Sequence, residues 1–202
     1  MTNGFIRRII QTKTTTNPKG NTMNKQQLIF NEAVTENNLK VVNEYINKPD
    51  IDLTFDNNFL FRYVVANEFT EITELLLSRK EVNPADLGNS ALYDAVNTNY
   101  NKIALKLLKI KEVKSSIKIQ EIFMCAVCAD NIEVVKLLLN DDRLKPNAQM
   151  NSAVIISSYN DLDDIADLLF SVKSVYETLE DIDPDVYHRL NERKLKNKNT
   201  II

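Results

Sequence analysis

Apolar residues in this chain fall at helical spacing, and the helical segments then recur at a fixed longer distance. In Ile122–Leu139, Phe123, Ala126 and Val127 stand at i, i+3 and i+4, one face of a first helix. Asp130 and Asn131 interrupt that pattern with residues that tolerate a left-handed helix end. Val134, Leu137 and Leu138 then form the apolar face of a second helix. Neither segment is long enough to be helical alone in water, so each needs neighbours on both sides. The chain supplies them by repeating this unit every 31 residues, with copies starting at Ile29, Leu60, Ala91, Ile122 and Ala153.

The copies align column by column. The second position is Phe30, Phe61, Leu92, Phe123 and Val154; the fifth is small, Ala33, Val64, Ala95, Ala126 and Ser157; the sixth is Val34, Val65, Val96, Val127 and Ser158. The thirteenth is β-branched throughout (Val41, Ile72, Ile103, Val134, Ile165), and the seventeenth is Tyr45, Leu76, Leu107, Leu138 and Leu169. An apolar loop column, Ile51, Val82, Val113, Leu144 and Val175, predicts that the loops stack as well. Asn37, Glu68, Asn99, Asp130 and Asp161 occupy the turn between paired helices, where a positive φ is wanted; Glu68 fits least well. Asn58, Asn89 and Asn151 share a column just ahead of the first helix and are expected to cap its free N–H groups.

Through segments such as LFRYVVANEFTEITELLL and IFMCAVCADNIEVVKLLL, and loops such as EVNPADLGNS and RLKPNAQMNS, the chain resembles the ankyrin repeat from about Gln26 to Asp183. It is similar to the short, Asn-rich variant common in viruses, phages, protists and some bacteria. The family's Thr-Pro-Leu-His start is replaced by Phe59-Leu60-Phe61-Arg62 and Ser90-Ala91-Leu92-Tyr93, and the Gly-His of the helix turn by residues such as Asn99-Tyr100. Its usual Thr/His hydrogen bonds are therefore not expected, while its stacked hairpins are. The fold expected is all-α: an ankyrin-like helical-hairpin solenoid of five repeats over residues 24–183, with a capping helix and basic tail over 184–202.

Composition adds little to that picture but narrows the chemistry. Three Gly, five Pro and no Trp in 202 residues suit a helical array, and 44% hydrophobic content supports a core built between neighbouring copies. Two cysteines form no disulfide framework, which points to a reducing, cytoplasmic setting, the host cytoplasm if the source is viral. No apolar run approaches a membrane span. Residues 1–23 differ: Arg7, Arg8, Lys13 and Lys19 stand without an acid, a net +4 against −3 for the whole chain. An acid-free, hydroxyl-rich segment has the composition of a mitochondrial presequence, but we read it as a disordered leader ahead of Met23-Asn24-Lys25.

At the ends, Glu44 replaces the Leu75, Leu137 and Leu168 of its column, as an N-terminal cap would require. Pro184 suits the first position of a capping helix, and Val186 and Leu190 can seal the last copy. Arg189, Arg193, Lys194, Lys196 and Lys198 follow; they suit a helix C-terminus, and the alternative is an adaptor tail for nucleic acid or another module, which the acidic remainder of the chain argues against.

No catalytic constellation is present. Cys125-Ala-Val-Cys128 sits inside a first helix with no preceding strand, unlike a redox motif, and a zinc site would need two more ligands where the chain has only His188. Three glycines make no phosphate cradle. No cofactor or metal is expected, and the protein is read as a non-enzyme.

A binding face can be located from helical phase. With the second, fifth and sixth positions buried, the fourth and eighth point away: Glu32/Glu36, Tyr63/Asn67, Asp94/Thr98, Cys125/Ala129 and Ile156/Asn160. The resemblance implies that first helices line a concave side, which makes this stripe the place for a partner. Arg62, Tyr93, Tyr100 and Tyr159 flank it, and Tyr and Arg dominate interface energetics. Tyr100 shares a column with Phe69 and Leu162 and is expected to pack instead. The candidate partner-binding residues are Glu32, Arg62, Tyr63, Asn67, Tyr93, Asp94 and Tyr159. They describe a monomeric protein-binding scaffold, which among viral relatives would block or sequester a host factor.

Overall fold

The computed structural model describes residues 24–144 and 146–199, so the leader expected over residues 1–23 lies outside the described residues. Among the described residues there are thirteen α-helices and no strand. No helix among them is long and apolar enough to cross a membrane.

The helices fall into two compact units. The first holds α1 (Lys25–Thr35), α2 (Leu39–Tyr45), α3 (Phe55–Ala66), α4 (Thr70–Leu77), most of α5 (Asp86–Asn97) and, after α6 (Asn101–Leu107), α7 (Lys111–Ser116). Within it α1 and α2 form one hairpin and α3 and α4 the next, with α1 against α3 and α2 against α4. The second unit holds most of α6, then the hairpins α8 (Ile119–Cys128)–α9 (Ile132–Leu138) and α10 (Pro146–Tyr159)–α11 (Asp163–Phe170), then α12 (Lys173–Ile182) and α13 (Pro184–Asn199). Here α10 lies against α8, α11 against α9, and α13 against both α11 and α12.

The turn column behaves as its chemistry requires. Asn37, Glu68, Asn99, Asp130 and Asp161 all have φ between 54° and 57°. The following N–H groups reach back over the helix end: Asn38 N–H to Ala33 O at 2.8 Å, Phe69 to Val64 at 2.9 Å, Asn131 to Ala126 at 2.8 Å and Leu162 to Ser157 at 2.9 Å. This left-handed cap satisfies carbonyls that would otherwise be orphaned and reverses the chain in two residues. Glu68 holds the same angle without the short amide or carboxylate that makes it easy, at a cost of about 1 kcal/mol.

The core is the set of apolar columns. Phe30, Phe61, Leu92, Phe123 and Val154 are fully buried, as are Ile72, Ile103, Val134 and Ile165. A further column, Val42, Thr73, Ala104, Val135 and Ala166, is equally buried. Its one polar member, Thr73, has a hydroxyl with no hydrogen-bond partner. Thr73→Val should therefore stabilise the protein by about 1–2 kcal/mol in urea denaturation, because an unsatisfied buried hydroxyl is lost and the shape is kept. A lower midpoint would mean that the hydroxyl is satisfied in solution.

Two expectations need correction. The column of Glu44 is no marker of an end, because Leu137 in the same column is 37% exposed and Leu75 and Leu168 are only half-buried. Nor do Asn58, Asn89 and Asn151 cap their own helices. Asp56–Asn58 and Leu87–Asn89 form left-handed turns (φ 48–67°), not the extended entry an N-cap adopts, and Asn151 already lies inside α10. These side chains instead reach into downstream segments of their own compact unit. Asn58 Oδ1 accepts from Asn83 N–H at 3.1 Å and its amide donates to the Asp86 carboxylate. Asn89 exchanges bonds with Ser116 Oγ (3.1 and 3.2 Å), and Asn151 Nδ2 donates to Thr178 Oγ1 at 2.9 Å. Gln27 and Gln120 occupy the same column and do likewise, Gln27 Oε1 accepting from Asp52 N–H at 2.6 Å and Gln120 Nε2 donating to Arg143 O at 3.4 Å. Actual N-caps are Asn24, Asn38 and Asn131.

Candidate protein-binding face

In the first compact unit the buried second, fifth and sixth positions of α1, α3 and α5 turn the fourth and eighth positions outward. Glu32, Glu36 and Asn67 are exposed, while Arg62, Tyr63, Tyr93 and Asp94 are half-buried. The half-buried members are held by neighbours. Tyr63 lies 6.0 Å from the Phe59 ring and edge-on to Phe69 at 6.1 Å, and its hydroxyl donates to Thr35 O at 3.4 Å. Burial raises its pKa above the usual phenol value. Asn67 Nδ2 donates to Tyr63 O at 2.8 Å.

Arg62 has a role that spacing could not reveal. Its Nε donates to Asn57 O at 3.2 Å and an Nη to Asp56 O at 3.1 Å, so the guanidinium braces the left-handed turn within the first residues of its own helix. Its charge also acts on Asp94, whose pKa is raised by burial and pulled back partly by Arg62. The net shift is upward, so the folded chain holds this proton more tightly than the unfolded one. Asp94 thus opposes folding more as pH rises through the carboxyl range and less as pH falls.

Tyr100 is buried, as its apolar column required. Tyr159 belongs to the second unit, where it is 61% exposed. Its hydroxyl donates to Asp183 Oδ2 at 3.4 Å, and the Arg189 guanidinium sits 5.4 Å from its ring centre. The basic residues near the C-terminus are largely used within that unit. Arg189 donates to Ser158 Oγ at 2.6 Å; Arg193 bonds the carboxylates of Asp163 and Asp167; and the Lys194 ammonium lies 5.0 Å from the centre of the Tyr176 ring. Cys125 is half-buried with its Sγ donating to Asn97 Oδ1 at 3.0 Å, and Cys128 is exposed. Among the described residues no three His, Cys, Asp or Glu side chains are grouped to hold a metal ion.

Paired short helices, left-handed Asn/Asp turns and amide side chains that tie one helix pair to the next loop define the architecture. A family model described as ankyrin repeats, in three copies, matches residues 30–120. Residues 30–120 are ankyrin repeats. Ankyrin repeats are protein–protein interaction modules and, as a fold, a non-catalytic binding scaffold. Of the candidate residues, Glu32, Arg62, Tyr63, Asn67, Tyr93 and Asp94 lie inside the ankyrin match, and Tyr159 lies beyond it. Comparison with curated proteins and with solved structures gave no match.

Proposed function

We propose that this protein recognises another protein through the first-helix face of its ankyrin repeats. The observation that carries this reading is the first unit's outward stripe, where Tyr63 and Tyr93 stand half-buried beside Arg62 and Asp94 while Glu32 and Asn67 are open to solvent. Half-buried aromatic and Arg side chains on packed helices present area with little left to order on binding, which limits the entropic cost of association. The exposed members at the edge add polar selectivity. In a viral or phage setting the outcome of such binding is the blocking or sequestering of a host factor.

The test is affinity capture from cells of the native host, comparing the natural chain with Tyr63→Ala/Tyr93→Ala and with Glu32→Arg/Asn67→Arg. The second variant changes only exposed side chains, and the one hydrogen bond it gives up is that of Asn67 Nδ2 to Tyr63 O at the end of α3. A partner bound through this face should be lost with both, with affinity at least roughly tenfold weaker when the purified pair is titrated. Equal recovery by all three proteins would place the binding surface elsewhere.

A further inference from the structure

Sulfur is scarce in this chain and concentrated in one place. Four Met and two Cys are its only sulfur side chains, and three of the six fall within five residues, Met124-Cys125-Ala-Val-Cys128. The repeat does not call for them: the same columns hold Asn31, Glu32 and Thr35 in the first copy and Tyr93, Asp94 and Asn97 in the third. Nor does the core use them. Ile122, Phe123, Ala126 and Val127 of α8 are fully buried, while Met124 and Cys125 are half-buried and Cys128 is exposed.

α8 stays helical through Cys128, which fixes the order of the three sulfurs around it. At about 100° per residue, Cys128 points about 60° from Cys125 on one side and about 40° from Met124 on the other. Cys128 is thus the middle member of an outward arc. Its neighbours stand one turn back, at i,i+3 and i,i+4, a spacing that sets Cβ atoms about 5–6 Å apart and lets side chains meet over one point. The Cys125 thiol donates to Asn97 Oδ1 at 3.0 Å, and a thiol is a weak donor that a metal readily displaces.

Thiolate and thioether sulfur select soft cations. Zinc does not fit, because it takes four ligands and among the described residues no three His, Cys, Asp or Glu side chains are grouped to hold a metal. A soft monovalent ion is satisfied by two or three sulfurs. We propose that Cys125, Cys128 and Met124 bind one copper(I) ion on the outer face of α8, through two thiolates and a thioether. Each thiol releases its proton to solvent as its sulfur takes the metal, and the bond to Asn97 is given up. The ion keeps its oxidation state, so no electron donor or acceptor takes part.

The test is an oxygen-free titration of the purified, reduced full chain against copper(I) held by the chromogenic chelator bathocuproine disulfonate. One copper per chain should pass from chelator to protein, and zinc(II) supplied in its place should be lost on desalting. Cys125→Ser and Cys128→Ser should each weaken copper binding by at least roughly a hundredfold, the upper end of what losing even an outer-shell partner costs. Met124→Leu, which keeps the side-chain volume, should weaken it by roughly tenfold at unchanged stoichiometry. All three positions lie outside the buried columns, so the variants should keep the circular dichroism of the natural chain. Copper held equally well by Cys125→Ser/Cys128→Ser, or none taken from the chelator, would overturn the proposal. So would zinc bound as tightly as copper, or copper found by native mass spectrometry only in dimers. An unchanged affinity in Met124→Leu would strike the thioether from the site.

Discussion

Phe61→Ala should destabilise the protein by about 3–5 kcal/mol, the largest single loss we expect. Phe61 is fully buried in α3, in a column whose other members are Phe30, Leu92, Phe123 and Val154. Removing the ring takes away its transfer free energy and leaves a cavity that the neighbouring helix pair cannot fill without giving up its own register. Against a total stability of about 5–15 kcal/mol that loss is a large fraction. Phe59→Ala is the internal control. It removes the same side chain two residues away, where the ring is only half-buried, and should cost roughly half as much or less. Urea denaturation followed by circular dichroism compares the two, with amide exchange to detect copies that unfold separately. Equal losses would mean that α3 does not present this face to the core. Phe61→Leu, which installs the residue found at position 92, should lose far less than the Ala variant.

Asn131→Ala should cost about 2–3 kcal/mol, although the change is small. Asn131 is buried, and its side chain makes two bonds at once: Oδ1 accepts from Val134 N–H at 3.2 Å, capping α9, and Nδ2 donates to Val96 O at 3.1 Å. The second bond joins residues 35 apart within the second unit, so its loss loosens a helix–helix junction as well as a cap. Asn38 holds the corresponding position in the first copy, exposed, with only the capping bond to Val41 N–H at 3.3 Å. Asn38→Ala should therefore cost only about 0.5–1.5 kcal/mol. Asn131→Asp separates the two roles. It keeps the cap acceptor but sets a carboxylate against the Val96 carbonyl, so it should be at least as damaging as Ala at neutral pH. Stability should return as pH falls and the carboxyl gains a proton to donate. A pH-independent loss in that variant would show that the bond to Val96 contributes little.

Several parts of this structure were legible from residue order because they depend on local or periodic chemistry. Apolar burial repeats with the helix, so Phe30, Val34, Phe61, Val65, Phe123 and Val127 could be assigned to the core from spacing alone. A reversal in two residues needs a left-handed backbone, so Asn37, Asn99, Asp130 and Asp161 could be placed at the turns, and even the poorly suited Glu68 adopts the same angle. Pro184 begins α13, as its missing N–H and fixed φ suggest. The candidate face was legible to the same extent: phase gave which positions point outward, and Glu32, Glu36 and Asn67 do.

Polar side chains follow no such local rule. Asn58, Asn89 and Asn151 carry the right groups for caps, yet they bond to segments 25 to 28 residues away. Arg62, whose residue type suits a partner contact, also braces the turn at Asp56–Asn57; Arg193, one of the basic residues near the C-terminus, is tied to Asp163 and Asp167. The period, the buried columns and the turn residues follow from residue order, because dihedral preference and apolar burial act within one helix pair. Tertiary packing decides which amides and guanidinium groups are used internally. A hydrogen bond is chosen by proximity at a few ångströms, and that proximity exists only once distant segments have packed.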